Sequence, residues 1–313
     1  MAPTILVATW RDGLYVFTGE TRHQELPGQP VRALAPDGHG GALAIVSGHS
    51  LCRRTSDGVW HPIATSVCQL ACSVAVGDVI YVGTDDARVL RVTAHGMVDQ
   101  LAGFDAVADR DKWYAGSAVI NGQRVGPPLG IRSIAATCDG TVLLANVHVG
   151  GIPRSMDGGV TWEPTIDVDS DVHEVRGHPI HPGIVIAAAA IGLCISRDGG
   201  ATWTVEQEGL HAAYCSAVAF SGDDILVSAS ADHFAPRGAV YRRSVDGHGP
   251  LVPVGAGLPR WINAIADTGC IATSASALAV ADKAGNLYVS TDAGRAWSRR
   301  ASGLPTASSG LIV

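Results

Sequence analysis

Ser196-Arg197-Asp198-Gly199-Gly200-Ala201-Thr202-Trp203 agrees with Ser155-Met156-Asp157-Gly158-Gly159-Val160-Thr161-Trp162 at six of eight positions. Ser290-Thr291-Asp292-Ala293-Gly294-Arg295-Ala296-Trp297 is a third copy that keeps the second Gly and the Trp. Worn copies stand at Thr55-Ser56-Asp57-Gly58-Val59-Trp60 and Ser244-Val245-Asp246-Gly247. Asp and Gly suit a tight turn, because the carboxylate can accept backbone N–H groups and Gly tolerates positive φ. The Trp that follows is large enough to fill the gap between neighbouring sheets.

Outward from these turns the chain repeats a unit of about 40 residues. Each unit reads as strand A, strand B, strand C, the Asp-Gly turn and strand D. In the fifth unit the strands are 172–177, 184–190, 193–196 and 203–207. The seventh is read as 261–266, 277–281, 287–290 and 297–300. At the start, 4–9, 14–18 and 24–26 supply B, C and D of a unit with no A, while 309–313 is an apolar strand with no unit. Joining the two ends closes a ring. The expected fold is all-β: a seven-bladed β-propeller of four-stranded blades, with residues 1–313 forming a single domain. Residues 105–130 do not fit the repeat and are expected to form a loop over the mouth of the central channel, acting as a lid.

The octapeptides resemble the Asp box of the BNR-repeat families, and the resemblance to bacterial sialidase-like, BNR-like proteins of unassigned activity spans nearly the whole chain. It implies a propeller and transfers no chemistry. A true sialidase reading is disfavoured. That family implies six blades, an arginine triad, a Tyr–Glu pair and an acidic Asp. Arg11, Arg32, Arg132, Arg237 and Arg260 could supply arginines, but no Arg-Ile-Pro-type start precedes the first box, and Glu is scarce near the mouth.

Composition fits many short strands: 38 Gly, 5% aromatic and 16% charged residues. A net charge of −7 with interspersed signs points away from nucleic acid and from anionic membranes. No apolar run approaches the ~20 residues of a membrane span. The N-terminus leads directly into a strand, and seven cysteines without a CxxC pair suggest buried reduced thiols, so a cytoplasmic location is expected.

In a propeller the B–C and D–A loops share the mouth face. Blade register brings four histidines there from neighbouring blades: His148, His173, His211 and His233, with Asp171 and Asp232 beside them. Neutral imidazole plus carboxylate suits a divalent metal (Zn, Mn or Fe), and His148, His173 and His233 are the candidate ligands. The four histidines, with Asp232 orienting one of them, could equally act as general acid and base. Trp10, Arg11, Trp113, Tyr114, Arg132, Tyr214, Arg237 and Trp261 are the candidate substrate-binding residues, with the arginines suited to an anionic group. No motif for an organic cofactor is present. His178-Pro179-Ile180-His181 follows strand A on the opposite face and reads as a turn. Two functions follow: a hydrolase or lyase acting on a small polar or anionic molecule, or a non-catalytic scaffold that meets a protein partner through its top face.

Overall fold

The computed structural model describes residues 2–116, 118–120, 123–125 and 129–313. Seven four-stranded antiparallel sheets make seven blades of a β-propeller, one of them extended by an extra two-residue strand. Blade 1 takes its innermost strand from the C-terminus. Ala307–Ile312 pairs antiparallel with Thr4–Thr9, in a register that sets Leu311 opposite Leu6 and Ile312 opposite Ile5. Reciprocal backbone bonds between Thr4 and Val313 (3.1 and 2.9 Å) finish the seam. The first outer strand is Thr21–Glu25, a little earlier than the expected 24–26.

The strands form where the sequence is β-branched and apolar on both faces, because each blade is buried against its two neighbours. Val185–Ala189 and Gly192–Ser196 are buried along their whole length. The three full turns then behave alike. Ser155 Oγ donates to Asp157 Oδ1 (2.8 Å) and accepts from Gly159 N–H (2.9 Å), while Asp157 also accepts from Thr161 N–H (2.9 Å). Ser196–Asp198–Gly200 and Ser290–Asp292–Gly294 repeat the pattern. Gly159 and Gly200 stand at φ +90° and +83°, where an L side chain is strained. Trp162 and Trp297 are buried between blades and donate Nε1–H to the carbonyls of Gly159 and Gly294.

The seventh blade departs from expectation. Ile262–Asn263 joins blade 6, pairing with the start of Arg237–Ser244, and strand A of blade 7 is Ile271–Thr273. Ala264 at φ +60° ends the short strand, and its N–H is held by the Pro236 carbonyl (2.9 Å). The chain then turns inward, so that Asp267 reaches the channel before the new strand begins. An apolar run starting at Trp261 looks like a strand, but its backbone bonds are spent on the preceding blade.

Ala102–Asp105, a single helical turn, leads into the insertion, where Arg110–Lys112 is a 3-10 turn and Ala118–Ile120 pairs with Gln123–Val125. The expected lid falls partly on residues 117, 121–122 and 126–128, which lie outside the described residues. No helix among the described residues is long and apolar enough to cross a membrane.

Candidate active site

The inner strands line a channel that holds a cavity of about 110 Å³, with Arg32, Arg132, Glu174, Arg176 and Asp267 on its wall. A second cavity of about 230 Å³ opens beside it between Trp10, His233, Asp267 and Lys283. At ~30 Å³ per water, these volumes suit a handful of waters, an ion or a small molecule.

Charges on the channel wall are arranged in fixed groups. Asp267 accepts from Ser216 Oγ (2.8 Å), its neighbour's Thr268 N–H (2.8 Å) and Arg132 Nη2 (3.1 Å), with Lys283 Nζ at 3.9 Å. Burial works to raise its pKa, but Arg132 and Lys283 hold it well below the usual carboxylate range. Glu174, fully buried, accepts backbone N–H groups of Val218 (3.0 Å) and Gly269 (3.1 Å) and pairs with Arg176. Arg32 and Asp85 form a two-pronged pair at 2.5 and 2.6 Å.

His148, Asp171 and His173 come together above this wall, with one ligand atom of each within 4.8 Å of the others. Asp171 Oδ1 lies 3.4 Å from His148 Nε2, and Oδ2 lies 3.5 Å from His173 Nε2. His173 Nδ1 lies 2.5 Å from the Cys215 carbonyl. A carbonyl can only accept, so His173 Nδ1 carries a proton, and a metal at Nε2 would take the lone pair of the neutral ring. Two ligands on tetrahedral arms of about 2.1 Å stand about 3.4 Å apart, which is the spacing on each side of Asp171. His148 is held neutral: burial first, then Arg132, pushes its pKa down to about 3 against the pull of Asp171. The Asp171–His148 contact is therefore a carboxylate against a neutral ring, not a salt bridge. Asp171 itself sits at φ +47°, ψ +69°, at the end of the 3-10 turn Val168–Ser170. The insertion presses on the same group, for a Cβ added at Gly116 would fall 2.0 Å from the His148 ring.

The other expected residues are distributed differently. His233 lines the second cavity, and burial, with Lys283 next, lowers its pKa. Asp232 forms no ion pair or hydrogen bond with a histidine among the described residues; its Oδ1 accepts Phe234 N–H (2.7 Å) and shapes its own loop. Asp171 stands where Asp232 was expected. Tyr214 packs its ring 4.6 Å from that of His173, and Arg132 anchors Asp267. Trp10 is 47% exposed at the rim, with Arg11 exposed beside it. Trp113 is buried against Phe104 under the insertion, away from solvent, and Tyr114 is exposed with its hydroxyl on Asp169. His211, Arg237 and Trp261 gather in a separate cluster on blade 6.

Asp267 and Lys283 had no assigned role in the sequence reading. Asp267 was hidden by the misplaced strand of blade 7. Its equivalence to Asp171 shows only through the strand pairing, for Gly177 opposes Val185 and Thr273 opposes Leu278, and these stand equally far along the chain from Asp171 and Asp267. His178 is a turn residue on the far face, as read: its Nδ1 accepts Ile180 and His181 N–H (3.2 and 3.1 Å). A proton then remains on Nε2, facing Asp223 at 3.4 Å, so His178 offers no lone pair to a metal in the His178–His181–Asp223 group.

No protein-family model and no curated protein matches the sequence. Solved propellers do match in structure. A Bacteroides uniformis protein described as a 6-phosphogluconolactonase aligns with 14% identity and TM-score 0.66 over 100% of this chain and 99% of its own. A GH74 enzyme from Niastella koreensis aligns with 13% identity and TM-score 0.61 over 94% of this chain, which spans 46% of that enzyme. The WD40 β-propeller domain of Doa1 aligns with 9% identity and TM-score 0.59, covering 86% of this chain and 81% of the domain. At such identities the likeness is one of fold, and it extends to enzymes and to a WD40 domain alike.

Proposed function

We propose that the chain binds a small polar or anionic molecule in the mouth of its central channel and acts on it as a hydrolase or lyase, with a divalent cation held by His148, Asp171 and His173. The carrying observation is the pair of imidazoles set against the two oxygens of one carboxylate, at 3.4 and 3.5 Å, with the His173 N–H already spent on a backbone carbonyl. Ligating histidines are commonly oriented by such a bond from the other ring nitrogen. Two buried atoms facing the proposed ion (Asp171 Oδ1 and His173 Nε2) have no hydrogen-bond partner among the described residues. The left-handed backbone of Asp171 is a further sign, because strain of this kind collects at functional sites.

Zn²⁺, Mn²⁺ or Fe²⁺ suits a two-histidine, one-carboxylate set, and such an ion would polarise an oxygen of the substrate or acidify a water. The protein's own groups divide the remaining work. His233, kept neutral on the wall of the second cavity, can take or return a proton. Arg132 and Lys283 place two cations around one carboxylate and can hold an anionic group of the substrate beside it.

A docking role remains the second reading, supported by apolar side chains left in solvent on loops of the mouth face: Phe234 is 81% exposed and Val67 98%. The test is a panel of small esters, lactones and hydroxy acids, assayed with and without chelator. Turnover that is abolished by chelation and in Asp171→Ala, yet retained in Asp232→Asn, supports the enzyme. Turnover indifferent to both treatments would sink the metal role, and a panel without turnover, alongside a stoichiometric co-purifying protein, would favour docking.

A further inference from the structure

On blade 6, away from the histidine–aspartate group, two guanidiniums share one indole. The Arg237 and Arg260 carbons each lie 4.6 Å from the centre of the Trp261 ring. The geometry is held from several sides. Arg237 opens the strand on which Ile262–Asn263 pairs, which fixes it beside Arg260 and Trp261. Arg260 directs both Nη atoms at the Tyr241 hydroxyl (3.3 Å each), and Tyr241 is fully buried. That hydroxyl also accepts the His211 backbone N–H (3.1 Å), so its own proton goes to His211 Nδ1 (2.7 Å). His211 thus keeps Nε2–H as a donor, with its ring 4.7 Å from Trp261.

Neither arginine pairs with a carboxylate among the described residues. Two unpaired cations over one ring repel each other unless something offsets the repulsion. The indole does so in part. Arg32, Arg132 and Arg176, on the channel wall nearby, each hold an Asp or Glu instead. We propose that Arg237, Arg260 and His211 form an anion-binding site on the rim of blade 6, which takes the oxyanion group (phosphate, sulfate or carboxylate) of a small molecule. Planar donors without an internal carboxylate are what such a group recognises. The lowered pKa of His211, due first to burial and then to Arg260 and Arg237, fits a cation-rich spot awaiting a counter-charge.

The test is calorimetric titration with inorganic phosphate, sulfate and acetate at low ionic strength, the three anions separating the chemical classes. Wild type should bind at least one of them saturably. Arg237→Gln and Arg260→Gln should each weaken that binding by about tenfold or more. His148→Ala should leave it unchanged, which makes this site separable from the metal site. Arg22→Gln is the surface control, since Arg22 lies over Tyr15 (4.7 Å) and shares the Phe17 ring with Arg300, which pairs with Glu20. Should Arg260→Gln misfold, Arg237→Gln still reports, because the Arg237 side chain makes no hydrogen bond among the described residues. Wild type that binds none of the three anions, or an equal loss in Arg22→Gln, overturns the proposal.

Discussion

His178 has no exposed side-chain surface, and its Nδ1 is committed to two backbone N–H groups. Burial first, and the neighbouring His181 second, lower its pKa against the pull of Asp223. A histidine whose folded pKa lies below its unfolded value binds fewer protons folded than unfolded. Its stabilising contribution is therefore complete above about pH 6.5 and is lost as pH falls toward the folded value. His178→Asn supplies an amide oxygen for the same N–H groups without the titration. Urea midpoints at pH 7.5, 6 and 5 should fall less steeply in that variant than in wild type; identical slopes would show that the ring does not control the effect. Cysteine gives a second expectation at this scale. Cys52, Cys72, Cys194, Cys215 and Cys270 are buried, and burial pushes the Cys72 and Cys194 thiols up to about 12. A thiol reagent should label only Cys68 and Cys138 in the native protein and all seven cysteines in denaturant. Rapid labelling of more than two native thiols would contradict the packing.

Among the elements, Trp162 and the closing strand carry the most weight. Trp162 meets Phe104 edge-on at 5.0 Å, which ties the turn of blade 4 to the insertion. Trp162→Ala should cost about 3–5 kcal/mol of unfolding free energy, the usual loss for a large core aromatic. A cost under ~1 kcal/mol in denaturant titration would mean that the inter-blade gap is filled otherwise. Deleting residues 306–313 removes the inner strand of blade 1 and leaves Thr4–Thr9 as an open apolar edge. The truncated chain should lose its cooperative melt and aggregate, and a native-like melt would show that the ring does not depend on that seam. This closure was legible in the sequence, because an unmatched strand stood at each end. The turns were legible too, since their hydrogen bonds are local. Strand A of blade 7 was not. Whether the run at Trp261 pairs within its own blade or with Arg237–Ser244 depends on the Ala264 backbone and on a partner two dozen residues upstream, neither of which hydrophobic pattern records.

At the scale of the whole ring, the site is a product of which blades stand side by side. Strand ends were enough to place His148 and His173 on one rim, because successive blades are neighbours. They were not enough to distinguish Asp171 from Asp232, for that turns on which loop spends its carboxylate on its own backbone. Nor could they separate His211 and Trp261 from the channel, since Tyr241, a buried strand residue, draws His211 and Arg260 to itself. The central claim is a cation held by His148, Asp171 and His173, with His233 outside its ligands. The most direct test is elemental analysis of untagged protein purified without chelator, comparing wild type with Asp171→Ala, His173→Ala and His233→Ala. The account predicts near-stoichiometric Zn, Mn or Fe in wild type and in His233→Ala, and its loss from Asp171→Ala and His173→Ala while all four remain folded. A metal-free wild type that also fails to take up added metal, or metal retained in both Asp171→Ala and His173→Ala, would contradict it.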